Sequence, residues 1–239
     1  MEENPDLQTL IAEELQKPNP DWRLIERLSR EAVDANPAAI RFSVDAGHIQ
    51  RLGMELVAKQ ETALAELIKN AYDADATEVR VTFSNHDKPN GTLVIQDNGV
   101  GMTAEVVRDA WMRISTTSKR DNPISQRYGR HRAGRKGIGR FAVQRLGTRL
   151  IMETEVAGNP NGLRVIFDWD KEFQAGRNLH DVFSLAQKYE KPVERERTRL
   201  SIFGLREAWS DPTLQRVWKA VVLLQPPISD LQDNNRYFN

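Results

Sequence analysis

The 239-residue chain has no cysteine and only four histidines, His48, His86, His131 and His180. The first absence excludes disulfides, thiolate chemistry and cysteine-built zinc sites. The histidines form no close pair, which argues against a histidine metal centre. There is no long apolar run either: the longest, Ala220–Leu224, is far too short to cross a bilayer. Residues Met1–Pro5 are acidic and polar, unlike a signal peptide, so the expected location is the cytoplasm, with no membrane partner. Net charge is also missing. The 34 basic residues cancel the 34 acidic ones, so whole-molecule charge selects no partner. With 39% apolar and 28% charged residues, the composition is that of a globular chain rather than a disordered one.

Punctuation and periodicity divide the chain. Leu7–Gln16 reads as a short amphipathic helix stopped by Pro18 and Pro20. Asp21 is placed to cap a second helix, Trp22–Ala35, which ends before Asn36 and Pro37. The body begins with an alternating strand, Ile40–Val44, followed by helices His48–Ala58 and Thr62–Tyr72. Strands Glu78–Ser84 and Thr92–Gln96 flank a turn containing Pro89, Asn90 and Gly91. Further helices are expected at Ala104–Ile114, Ile138–Leu146 and Pro212–Leu224, and strands at Arg149–Val156, Leu163–Trp169 and Arg197–Phe203. Ser115–Lys136 has no periodicity, and loops this long are usually functional or disordered. The order lacks a regular βα alternation. It predicts an α+β layer, with helices covering one face of a mixed, mostly antiparallel sheet. Three segments are expected: a helical extension at 1–37, a body at 38–225, and at 226–239 the start of a linker to a downstream region.

Chemistry concentrates in the middle. Eight of the fourteen glycines fall between Gly91 and Gly147, where the backbone needs positive φ or close approach to a ligand. Three clusters stand out. Glu66 and Asn70 lie one helical turn apart and share a face, which suits a base beside a magnesium ligand or, more plainly, an exposed polar stripe. Asp97, Gly99 and Gly101 follow an apolar strand. A buried carboxylate there can accept a hydrogen bond from an exocyclic amine, although the same residues also make ordinary turns. Gly134, Gly137 and Gly139 open a helix, whose exposed N–H groups attract anions. From Arg113 to Arg149 there are eleven Lys or Arg and a single acid, Asp121. Such an excess fits polyphosphate and also nucleic acid.

Taken in order, these clusters resemble the GHKL ATPases: DNA gyrase, the ninety-kilodalton heat-shock chaperones, histidine kinases, MutL mismatch-repair proteins and the MORC-type ATPases. The matching residues are Glu66, Asn70 and Asp73 on the Asn-box helix, then Asp97, Gly99 and Gly101, then Gly134, Gly137 and Gly139. Thr116–Lys119 is similar to the family's lid signature, and Thr198 to the threonine of a late strand, with Arg197 where the family has glycine. The resemblance covers about Ile40 to Phe203 and implies a Bergerat-type two-layer α/β sandwich. It implies ATP and Mg2+ as ligands, with Asn70 on the metal. Asp97 would take the adenine amine, supported by Thr198. Gly99, Gly101 and Met102 would line the base and ribose floor. Ser118, Lys119, Gly134, Lys136, Gly137, Ile138 and Gly139 would surround the phosphates, Lys119 also acting in catalysis. Glu66 would activate water, and Asp73 would support the site from behind.

Glu66 also favours a hydrolytic branch, because histidine kinases usually lack an acid at that position. A kinase catalytic domain is the first alternative, and a nucleic-acid module with a vestigial nucleotide site is the second. The resemblance further implies lid closure by Ser115–Lys136 and homodimerisation on ATP binding. It leaves DNA and a protein client both open as partners.

Overall fold

A computed structural model of the protein describes residues 6–35, 43–57, 59–113, 123–132 and 139–222. Two helices, α1 (Leu7–Leu15) and α2 (Trp22–Asp34), form the amino-terminal hairpin. Asp21 caps α2 as expected, its carboxylate accepting from Arg23 N at 3.0 Å and Leu24 N at 3.2 Å. Glu14 is buried in the hairpin, where it accepts from Lys17 Nζ at 2.6 Å and Asp21 N at 2.9 Å. Arg30 of α2 reaches the body through Asp181 at 2.9 Å.

The body follows with α3 (Gly47–Leu56), α4 (Gln60–Asp73), β1 (Val79–Ser84) and β2 (Thr92–Asp97). Helix α5 (Ala104–Val106) runs on as a π-helical segment, Val107–Trp111, where one α-helix was expected. Then come α6 (Gly139–Leu146), β3 (Gly147–Glu155), β4 (Asn161–Asp168), α7 (Trp169–Glu172), β5 (Ala186–Glu190), β6 (Arg197–Leu205) and α8 (Asp211–Val222). Of the expected strand Ile40–Val44, residues 40–42 lie outside the described residues. Val44 is not strand, and the pairing there is an isolated bridge between Asp45 and Asn178. Residues 114–122, 133–138 and 223–239 also lie outside.

The six strands form one sheet in the order β1-β2-β6-β3-β4-β5, and every pair among them is antiparallel. This is the α+β, two-layer architecture expected, with an antiparallel rather than a mixed sheet. β5 was not foreseen because its burial is low throughout, so no apolar alternation marks it.

Period-two alternation places one apolar face toward the helices. Leu93 and Ile95 of β2, Leu200 and Ile202 of β6, Leu150 and Met152 of β3, and Val165 and Phe167 of β4 are all buried. The register aligns them in cross-strand rows, such as Leu93, Ile202, Leu150 and Phe167. Helix α4 supplies Leu64, Leu67, Ile68 and Ala71, and α6 supplies Ala142, Val143 and Leu146. α4 packs on α6 and α8, while α6 packs on α3 and on β3 and β6. Among the described residues, no helix is long and apolar enough to cross a membrane.

Face assignment makes a direct prediction. Ile202 has no exposed surface, whereas its neighbour Phe203 points to the opposite face and is 36% exposed. Ile202→Ala should cost roughly 2–5 kcal/mol in urea unfolding, and Phe203→Ala distinctly less. Equal costs would contradict the sheet register.

Candidate functional site

The apolar face changes character at one end. Its last cross-strand row reads Val79, Asp97, Thr198, Thr154 and Leu163 across β1, β2, β6, β3 and β4. Three polar side chains therefore stand side by side where the preceding rows are aliphatic. Asp97 Oδ1 accepts from Gly99 N at 2.9 Å and Thr198 N at 3.3 Å. Oδ2 has no donor among the described residues. Burial is the main influence on this carboxyl and raises its pKa to about 6, while the two backbone N–H bonds pull the other way.

The turn after β2 is built around this carboxylate. Asn98 leaves the strand and binds back, its Oδ1 accepting from Thr77 N at 2.8 Å and Glu78 N at 2.9 Å. Val100 N donates to Ala74 O at 3.0 Å, joining the turn to the end of α4. Gly101 has φ of +68°, and a Cβ there would fall 2.0 Å from Glu155 O. Only glycine fits such a position. Met102 N then donates to Thr154 Oγ1 at 2.7 Å, which ties the turn to β3.

Glu155, whose backbone forms this floor, sends its side chain to the opposite face of the sheet. Burial opposes its charge, but Arg195, Tyr189 and Arg197 hold the carboxyl below its ordinary range. Tyr189 OH donates to it at 2.7 Å and Arg197 Nη2 at 2.9 Å. Arg197 thus fixes the register of β6 one residue before Thr198. The family glycine that it replaces would carry no such charge.

Helix α4 supplies the second half of the site. Glu66 is half-buried and paired with Lys69 at 2.9 Å. Asn70 is half-buried one turn on, and Asp73 is buried with 5% exposure. The helix closes in a Schellman pattern, with Asp75 N donating to Tyr72 O and Ala76 N to Ala71 O, each at 3.1 Å. The structure thus brings Asp97, Gly99, Gly101, Met102 and Thr198 together beside the end of the helix that carries Glu66, Asn70 and Asp73. Gly139 opens α6. Ser118, Lys119, Gly134, Lys136, Gly137 and Ile138 lie outside the described residues. Sequence reasoning missed Thr154 and Asp75, and it gave Asn98, inside the Asp97–Met102 cluster, no role of its own. Thr154 could have been read from the alternation of Leu150 and Met152 on β3, whereas nothing in the sequence marks Asp75.

Residues 58–199, more than half of the chain, match the family described as “Histidine kinase-, DNA gyrase B-, and HSP90-like ATPase”. The chain belongs to that family, the GHKL ATPases. It is similar to the chaperone protein HtpG of Shewanella denitrificans, with 27% identity over 154 residues, 56% of this chain and 24% of that protein. It is similar to the DNA mismatch repair protein MutL of Fervidobacterium nodosum, with 30% identity over 112 residues, 47% of this chain and 18% of that one. It is also similar to a putative type II restriction enzyme, HgiDII, of Herpetosiphon aurantiacus, with 44% identity over 80 residues, 33% of this chain and 12% of that protein. The chain spans at most 24% of the length of these relatives.

The raised Asp97 pKa has a signed consequence. The folded state holds this proton up to about pH 6, whereas an unfolded aspartate releases it near pH 4. Between those values the Asp97 contribution to stability falls as pH rises, and above pH 6 the full cost is present. Asp97→Asn keeps an acceptor for the Gly99 and Thr198 amides and removes the half-buried charge. The ligand-free variant should be more stable than wild type at pH 8 by roughly 1–3 kcal/mol, with the gap closing near pH 4. Urea unfolding at both pH values measures it, and a pH-independent gap would contradict the burial of this charge.

Proposed function

We propose that this chain is the nucleotide-binding domain of an ATPase that hydrolyses Mg-ATP and uses the cycle to switch conformation and self-association. The observation that carries this reading is Asp97. One oxygen of its half-buried carboxylate is met by two backbone N–H groups, while no described donor meets the other. That is the acceptor an exocyclic amine needs in a desolvated pocket. Thr198 holds Asp97 in place, and Gly99, Gly101 and Met102 form the floor for base and ribose.

Toward the phosphates, the oxygen donors of α4 suit a hard cation. Asn70 would ligate Mg2+, which takes few protein oxygens and supplies charge neutralisation on the phosphates. Glu66, one turn earlier, orients the attacking water and accepts its proton, and Asp73 supports the helix from its buried side. Ser118, Lys119, Gly134, Lys136, Gly137, Ile138 and Gly139 are assigned to the phosphates by family position. Phosphoryl transfer needs positioning and charge stabilisation more than covalent chemistry, so this short set is sufficient. In this reading residues 38–225 form the working unit, 1–37 are an extension, and the parts of Ser115–Lys136 that flank 123–132 respond to the triphosphate.

For the client we favour DNA. The excess of basic residues between Arg113 and Arg149, less Arg127, Arg130 and Arg145, which are committed to partners within the chain, is the supporting feature. MutL and the putative restriction enzyme are the relatives whose names point the same way. Binding to a DNA duplex should weaken steeply with salt, log K falling linearly with log salt. Absence of such binding would redirect the search to a protein client.

The nucleotide assignment separates two variants. Asp97→Asn should lose ATP affinity at least about tenfold, because an amide N–H₂ would face the adenine amine. Glu66→Ala should keep ATP affinity and lose turnover, because it removes a group needed in the transition state. Calorimetry and phosphate release measure the pair. Unchanged affinity in Asp97→Asn would overturn the base assignment, and unchanged turnover in Glu66→Ala the catalytic one.

A further inference from the structure

Asp75 occupies a backbone conformation that is expensive without a reason. Its φ is +61°, and it sits at the position after a helix end where glycine is the usual residue. Aspartate tolerates the left-handed region better than most side chains but still pays for it. Its carboxylate shows what the strain is used for. Asp75 is buried, with 3% exposure, and accepts three hydrogen bonds from one short segment. Ser125 Oγ donates at 2.5 Å, Arg127 N at 2.8 Å and Tyr128 N at 3.3 Å.

That segment, Pro123–Arg132, is a small hairpin closed by an antiparallel bridge between Ile124 and His131. Ser125 N donates to Arg130 O at 2.9 Å and Arg132 N to Pro123 O at 2.8 Å. The Arg130 guanidinium donates to Ala76 O at 2.5 Å and lies over the rings of Tyr72 and Tyr128, at 4.8 and 5.0 Å. On its other side the hairpin is held by the residue that leads into β6: Arg127 forms a two-pronged pair with Glu196, at 2.5 and 2.8 Å. Glu196 lies two residues before Thr198, whose N–H holds Asp97. Asp75 is one residue beyond Ala74, whose carbonyl takes Val100 N. The hairpin therefore joins the two elements that flank the turn of Asp97, Gly99 and Gly101, the end of α4 and the start of β6.

We propose that Asp75 is a positioning residue for the base end of the nucleotide site, latching the Pro123–Arg132 hairpin to α4 so that α4 and β6 keep a fixed spacing around Asp97. The inference rests on the nucleotide reading above. It assigns the latch to substrate affinity and not to the hydrolytic step, because the hairpin contacts the end of α4 away from Glu66. The latch is also separable from the helix cap. Asp75→Gly relieves the positive φ and removes only the carboxylate, so the fold should survive.

The test compares wild type, Asp75→Gly, Glu196→Gln and Asp97→Asn. Trypsin cleavage at Arg127, Arg130 and Arg132 without nucleotide should accelerate about tenfold in Asp75→Gly, with circular dichroism unchanged. Its KM for ATP should rise about tenfold while kcat stays within about twofold. Glu196→Gln, which keeps Asp75 and loses one charge pair, should shift KM in the same direction by less. Cleavage and KM both equal to wild type in Asp75→Gly would overturn the latch, as would a loss of kcat at unchanged KM. Were Asp75→Gly to unfold, Glu196→Gln decides alone: a raised KM at unchanged kcat supports the latch, and an unchanged KM overturns it. Asp97→Asn separates the two levels. If it abolishes nucleotide binding while Asp75→Gly leaves KM untouched, only the latch fails. If it leaves ATP affinity intact, the nucleotide reading itself fails.

Discussion

The structure turns on one desolvated carboxylate. Asp97 ends a strand whose preceding inward residues, Leu93 and Ile95, are among the most buried in the chain. It stands in a row with Thr198 and Thr154, where the aliphatic layer stops. A charge in this position is costly unless its oxygens are met. The protein meets one oxygen with two backbone N–H groups and shapes the following turn around it. The glycine at 101, the Asn98 clamp and the bond from Met102 to Thr154 all serve to hold that turn.

The opposite face of the sheet carries the compensating rigidity. Glu155 closes the backbone floor under Gly101, while its side chain gathers Arg197 from the neighbouring β6, Tyr189 from β5 and Arg195 from the connection between those two strands. Removing one partner of a buried charge cluster leaves the other charge unmet, so such clusters hold register even where they add little net stability. Here the register held is that of Arg197 against Glu155, immediately beside Thr198 and Thr154. The polar pair on one face and the charge cluster on the other thus occupy adjacent positions of the same β3–β6 ladder.

Much of this was legible in the sequence because it depends on period and punctuation. The α4 stripe of Leu64, Leu67, Ile68 and Ala71 announced a buried helix, and Asp21 announced the start of α2. The run from Thr92 to Gln96 announced a strand that ends at a carboxylate. The order of Asn70, Asp97 and Gly139 announced the family. What was not legible depends on partners distant in sequence. Thr154 matters only because β3 lies antiparallel to β6 and brings it against Thr198. Asp75 reads as one more polar residue after a helix, and only the hairpin folded onto it explains an aspartate at positive φ. β5 has mostly exposed side chains, so no apolar alternation could reveal it. The π-helical turn at Val107–Trp111 has no local signature that separates it from the α-helix expected there.

The central claim, that Asp97 reads an exocyclic amine, is tested most directly by changing the ligand instead of the protein. Inosine triphosphate carries a carbonyl where ATP carries its amine and an N1–H where ATP has an acceptor, with the same triphosphate and nearly the same ring shape. Calorimetric titration of the wild-type chain at pH 8, where Asp97 is ionised, should show ATP binding at least about tenfold tighter than inosine triphosphate, since a carbonyl facing a carboxylate leaves two acceptors unmet. Equal affinity for the two nucleotides would contradict the account.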